Sequence, residues 1–69
     1  MMKKVLTIPE GAQYLSCSSR TLYRLIDEKE IPGFYVRGRS LRILVSDLDS
    51  YIERQVQRFA DALDERDSL

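Results

Sequence analysis

Two helix-start signals set close together constrain this chain more than anything else in it. In Thr7-Ile8-Pro9-Glu10, Thr7 can cap, Glu10 can reach back to it, and proline is tolerated in a first turn whose donors are unpaired anyway. The second signal is Ser18, which follows Ser16-Cys17 and can accept from the amide of Arg20 or Thr21. Between them there is room for one short helix, over about residues 8–15, and a tight turn. Ile8, Gly11, Ala12 and Leu15 form the inward side of that helix, and the small pair Gly11 and Ala12 admits a close helix crossing.

The second helix has two unlike faces. Leu22, Leu25 and Ile26 fall at the i, i+3, i+4 spacing of a buried stripe, while Arg20, Tyr23, Arg24 and Asp27 recur on the opposite side. A solvated face usually mixes Glu and Lys. This one joins two arginines and a tyrosine to short hydroxyl residues (Ser18, Ser19, Thr21), side chains that can fork onto guanine edges and grip phosphates. An ordinary surface face with two arginines is the plainer alternative. Pro32 biases Ile31 away from helical geometry, so the helix is expected to end near residue 29.

Two short strands then follow around Gly38, over residues 34–37 and 40–43. The alternation suggests Phe34, Val36, Leu41 and Ile43 on core-forming faces, with Tyr35 and Arg42 facing the other way. Arg37-Gly38-Arg39 makes a cationic tip suited to a phosphate backbone or a narrow minor groove. Ser46 is placed to cap a third helix, with Asp47 and Asp49 near its positive end. That helix meets no breaker before about residue 65. Leu48 and Ile52 close the core, and Tyr51 packs at its edge. Val56, Phe59 and Leu63 continue the apolar rhythm beyond the body, which calls for a cover: a second copy, another protein, or the domain itself. Residues 1–6 read as a short, basic, frayed lead-in, with Val5 and Leu6 touching the core.

Sixty-nine residues make one small domain, and 43% hydrophobic content is that of a folded chain. The zero net charge hides an asymmetry. Residues 1–45 carry eight basic and four acidic side chains, whereas residues 46–69 carry three basic and seven acidic ones. A polyanion-binding body with an acidic tail fits that split. One cysteine and no histidine leave no internal disulfide and no credible metal site, and Cys17 fits a small packing residue. The apolar runs are too short to span a membrane or to make a signal peptide, so an intracellular, reducing location is expected. With no glycine-rich phosphate loop and no activated nucleophile, neither catalysis, a cofactor nor a small-molecule substrate is expected.

Helix, tight turn, helix, basic hairpin, helix is the plan of a winged helix-turn-helix: mainly α with a small β-hairpin, ending in a long C-terminal helix. The chain resembles the excisionase-like helix-turn-helix family, relatives of the winged-helix heads of MerR-type regulators. The resemblance is carried by Leu6-Thr7-Ile8-Pro9-Glu10-Gly11-Ala12-Gln13-Tyr14-Leu15, by Ser18-Ser19-Arg20-Thr21-Leu22-Tyr23-Arg24-Leu25-Ile26, by Ile31-Pro32 and Gly38-Arg39, and by Leu41-Arg42-Ile43 and Asp47-Leu48-Asp49-Ser50-Tyr51-Ile52. It departs at Ser16, where many members have glycine; serine there implies some strain or a slightly different turn. Residues 1–54 are accordingly expected to form the DNA-binding domain and residues 55–69 a helical extension.

The resemblance implies double-stranded DNA as partner, a place at the nucleoid in the cytoplasm, and the role of an excisionase whose copies line up and bend DNA. The residues expected at the DNA are Ser18, Ser19, Arg20, Thr21, Tyr23 and Arg24 from the second helix, then Arg37, Gly38 and Arg39 from the tip. Arg42 is expected to add a phosphate contact, as is Lys3 or Lys4. Val56, Phe59 and Leu63 are expected to bind a partner, either another copy or an integrase. A small transcriptional regulator of a mobile element, and an interaction module whose basic face meets an acidic protein, are the competing readings.

Overall fold

The computed structural model describes residues 4–67, with side chains to residue 64. The order is β1 (Val5–Leu6), α1 (Ile8–Tyr14), α2 (Ser19–Asp27), β2 (Phe34–Val36), β3 (Ser40–Leu44) and α3 (Val45–Asp67). This is a winged helix-turn-helix with a long carboxyl-terminal helix.

Thr7 closes the expected capping box: Glu10 N–H donates to its Oγ1, and its own N–H donates to Glu10 Oε1 at 3.0 Å. The turn into α2 is a Schellman motif. Ser16 N–H donates to Gln13 O and Cys17 N–H to Ala12 O, with Ser16 in the left-handed region at φ 56°. So the serine that replaces the expected glycine takes up the glycine's conformation. The end of α2 repeats the device: Lys29 sits at φ 64°, Lys29 N–H donates to Ile26 O and Glu30 N–H to Leu25 O. Helix α2 therefore stops at this left-handed residue, three positions before Pro32.

The core is Leu6, Ile8, Ala12, Leu22, Ile31, Ile43 and Leu48, with Leu15, Cys17, Leu25, Ile26, Leu41, Val45 and Tyr51 packed around it. Burying each of the four fully enclosed side chains, Leu22, Ile31, Ile43 and Leu48, stabilises by about 2 kcal/mol. Gly11 lies where α1 crosses α2; a Cβ there would stand 3.0 Å from Leu22 Cδ2.

Three expectations are corrected. Val5 and Leu6 are not a frayed lead-in but a strand, which pairs antiparallel with Leu44 and Ile43 and makes a sheet of order β1-β3-β2. Ser46 does not cap α3. The chain passes straight from β3 into the helix at Val45, whose N–H donates to Lys4 O at 2.9 Å, so Ser46 lies inside the first turn. The third concerns the faces of the hairpin. Val36 opposes Ser40, which leaves a loop of three residues, and this odd count sets Tyr35 opposite Leu41 and Phe34 opposite Arg42. Cross-strand partners share a face. Tyr35 is therefore on the Leu41 side, and Phe34, Val36 and Arg42 lie together on the outer one.

Candidate nucleic-acid interface

The amino end of α2 is held by Ser18. Its Oγ accepts from Thr21 N–H at 3.1 Å, and its hydroxyl meets Thr21 Oγ1 at 2.9 Å. Both hydroxyls are thus engaged within the first turn. At 100° per residue the cap fixes which side chains face out. Arg20, Tyr23, Arg24 and Asp27 do so, all exposed, with Tyr23 49% accessible. Leu22 is enclosed beneath them. Ser19 and Thr21 flank the stripe, half-buried, and Thr21 borders a groove against α3 rather than the outer surface.

Arg20, Arg24, Arg37 and Arg39 make no hydrogen bond or ion pair with another described residue. Two other arginines differ. Arg54 Nη2 donates to Glu30 O at 2.7 Å and its guanidinium lies over the Tyr51 ring, while Arg42 Nη1 donates to Leu41 O at 2.9 Å. Among the described residues, Arg42 and Arg54 thus serve the chain's own structure, while Arg20 and Arg24 on α2, Arg37 and Arg39 at the hairpin tip, and Arg58 on α3 are uncommitted. All the donors of their guanidinium groups are left for a polyanion.

The tip is a tight turn in which Arg39 N–H donates to Val36 O at 3.3 Å, with Arg37 at φ 56° and Gly38 at φ 71°. Arg37, Gly38 and Arg39 are all exposed. Between α2 and the strands of the hairpin runs a cleft bordered by Tyr23 and Asp27 on one wall and Tyr35 and Leu41 on the other, with Lys29, Pro32 and Gly33 closing one end; Arg37, Gly38 and Arg39 do not line it. Tyr35, 65% exposed, thus joins the α2 side of the molecule, where alternation alone had set it apart. Its signal was the loop length, which decides face by parity. Arg42, on the outer face beside Phe34, does not border this cleft. Val56, Phe59 and Leu63 are exposed along the far half of α3 and do not border this cleft; Val56 borders the other groove, with Thr21 and Leu25 of α2. Lys3 lies outside the described residues, and Lys4 is exposed just before β1.

A family model described as a helix-turn-helix domain matches residues 5–56, from β1 through the first half of α3. The chain belongs to this helix-turn-helix family. It is, on that membership, a helix-turn-helix protein that binds DNA. No curated protein and no solved structure matches it. The match ends at Val56, where the accessible stripe of α3 begins, so the last part of that helix lies beyond what the family shares. No helix among the described residues is long and apolar enough to cross a membrane.

Proposed function

We propose that the chain is a sequence-specific binder of double-stranded DNA that serves as an excisionase, with copies bound side by side at an attachment site and the DNA bent between them. The observation that carries this is the pairing of two uncommitted arginine sets. Arg20 and Arg24 stand on a capped helix that fits the major groove, and Arg37 and Arg39 stand at the tip of the hairpin whose strands share a cleft with that helix. Arg20 and Arg24 read base edges, Tyr23 and Ser19 add groove or phosphate contact, and Ser18 and Thr21 set the helix in register. The tip places Arg37 and Arg39, with Gly38 allowing close approach, against flanking phosphates or the minor groove. Arg42, already bonded and on the outer face, is the least direct of the set. Residues 1–54 form the DNA-binding head in this reading and residues 55–69 its extension, and the protein acts at the nucleoid.

One head reads only a few base pairs, so useful affinity comes from neighbouring copies or from an integrase. The test is selection of bound sequences from random DNA at moderate salt. Gel shifts at rising protein concentration follow, then a bend assay on circularly permuted fragments. A ladder of complexes on tandem sites with altered mobility by site position supports the excisionase. A single dimeric complex on unbent DNA would replace it with a transcriptional regulator. No binding even at low salt would overturn DNA recognition altogether.

A further inference from the structure

Two apolar surfaces have no cover among the described residues, and they differ in charge. The first is the outer face of the sheet. The register Val5–Leu44, Phe34–Arg42 and Val36–Ser40 sets Val5, Phe34, Val36 and Leu44 on one side, each 37 to 40% exposed. Arg42 lies among them, Arg37 and Arg39 stand at the hairpin's end, and no acidic residue occurs in any of the three strands or in the tip. The second surface is the far half of α3. There Val56 is 64% exposed, Phe59 68% and Leu63 41%, along one stripe. By sequence, residues 53–69 carry five carboxylates against three arginines, a net charge of −2.

We propose that these two surfaces meet between copies: the Val56, Phe59 and Leu63 stripe of one molecule packs on the outer sheet face of the next, which brings a segment of net negative charge to a face whose one charged side chain is Arg42. Opposite charge argues for this occupant. Pairing α3 with α3 of a second copy would set two net-acidic segments together and leave the sheet face bare. The head-to-tail contact covers both surfaces at once. Because it joins unlike patches, a pair leaves a free socket at one end and a free helix at the other, and the assembly extends as an open row instead of closing as a dimer. Neither surface includes Arg20, Tyr23 or Arg24. The proposal rests on the two surfaces alone and stands or falls without DNA.

A contact of about seven apolar side chains is at the small end for specific association, so it is expected to depend on concentration and to weaken with salt. The test is sedimentation of the full chain without DNA, at the highest soluble concentration and low salt, with two variants. Phe59→Asp spoils the helix and Val36→Asp spoils the socket. Wild type is expected to grow past a dimer as concentration rises. Each variant alone stays monomeric, but an equimolar mixture forms a 1:1 pair, since one still carries an intact helix and the other an intact socket. Should Val36→Asp fail to fold, Arg42→Glu removes the cation from the same face and replaces it. A wild-type monomer throughout would overturn the proposal. So would a wild type that stops at a dimer which the mixture cannot restore, the signature of symmetric α3 pairing.

Discussion

Tyr14 Oη donates a hydrogen bond to Asp49 Oδ1, tying the last residue of α1 to the early turns of α3 across 35 positions of sequence. Together with the bond from Arg54 to Glu30 O, it anchors α3 to both ends of the helix-turn-helix. The placement of α3 against the helix-turn-helix therefore rests on polar ties at its margins as well as on the core below.

The Tyr14 bond has a pH signature. Its phenol is raised above the usual 10.0, first because the bond to Asp49 holds the proton, then through partial desolvation and the nearby negative charge. The folded state thus binds this proton more tightly than the unfolded one. Its contribution is complete below the unfolded pKa and is lost as pH rises through the folded one. Urea denaturation on either side of that range is expected to show wild type losing more stability than Tyr14→Phe. Equal losses would mean the bond does not persist in solution.

Ser16 at φ 56° and Lys29 at φ 64° hold left-handed positions that cost a non-glycine residue about 1–2 kcal/mol. Glycine removes that cost but makes the unfolded chain freer, which returns about 0.4–1 kcal/mol. Ser16→Gly and Lys29→Gly are each expected to stabilise by about 0.5–1 kcal/mol, and to add when combined because the sites end different helices. Chemical denaturation of the singles and the double measures it.

Gly11→Ala is expected to go the other way. The added methyl meets Leu22 Cδ2 at 3.0 Å, with Ile43 Cδ1 at 3.5 Å and Leu48 Cδ1 at 3.7 Å, and all three side chains are fully buried. Overpacking of about 1–3 kcal/mol outweighs the roughly 1 kcal/mol that alanine gains in a helix, leaving a net loss near 1 kcal/mol. A lower urea midpoint with an unchanged slope would show it; a rise would mean that α1 and α2 part without strain.

Much of this architecture was legible because its signals are local. Thr7 and Glu10, Ser18 and Thr21, and the apolar spacing of α2 each lie within one turn, where capping and period decide the outcome without the rest of the chain. What escaped depends on pairing at a distance. A strand as short as Val5-Leu6 has no period of its own and exists only because β3 offers an edge. The faces of Tyr35 and Arg42 turn on whether the hairpin loop is odd or even, which Arg37 settles by entering the left-handed region where a non-glycine residue seldom goes. The start of α3 at Val45 likewise depends on the carbonyl of Lys4. The exposure of Arg20, Tyr23 and Arg24 could be read from the helix alone; that Arg37 and Arg39 are uncommitted while Arg42 and Arg54 are bonded could not.

The two uncommitted arginine sets are expected to fail differently when changed. Arg24→Lys keeps the charge but loses the planar fork, so on a selected target it should cost about 1–3 kcal/mol and relax preference at one base pair. Arg20→Lys should do the same at a neighbouring pair, since Arg20 lies one turn away on the same stripe. Arg37→Ala and Arg39→Ala remove phosphate contacts instead. They should weaken all sequences alike and each lower the slope of log affinity against log salt by about 0.9. Arg58→Ala, on α3 beyond the matched region, should leave both unchanged and serves as the charge control. Fluorescence anisotropy with the selected site and its single-base variants, over a salt series, separates these outcomes. If Arg24→Lys bound every variant as wild type does, α2 would be holding the backbone and the base reading would have to lie elsewhere, with Tyr23 and Tyr35 across the cleft the next side chains to change.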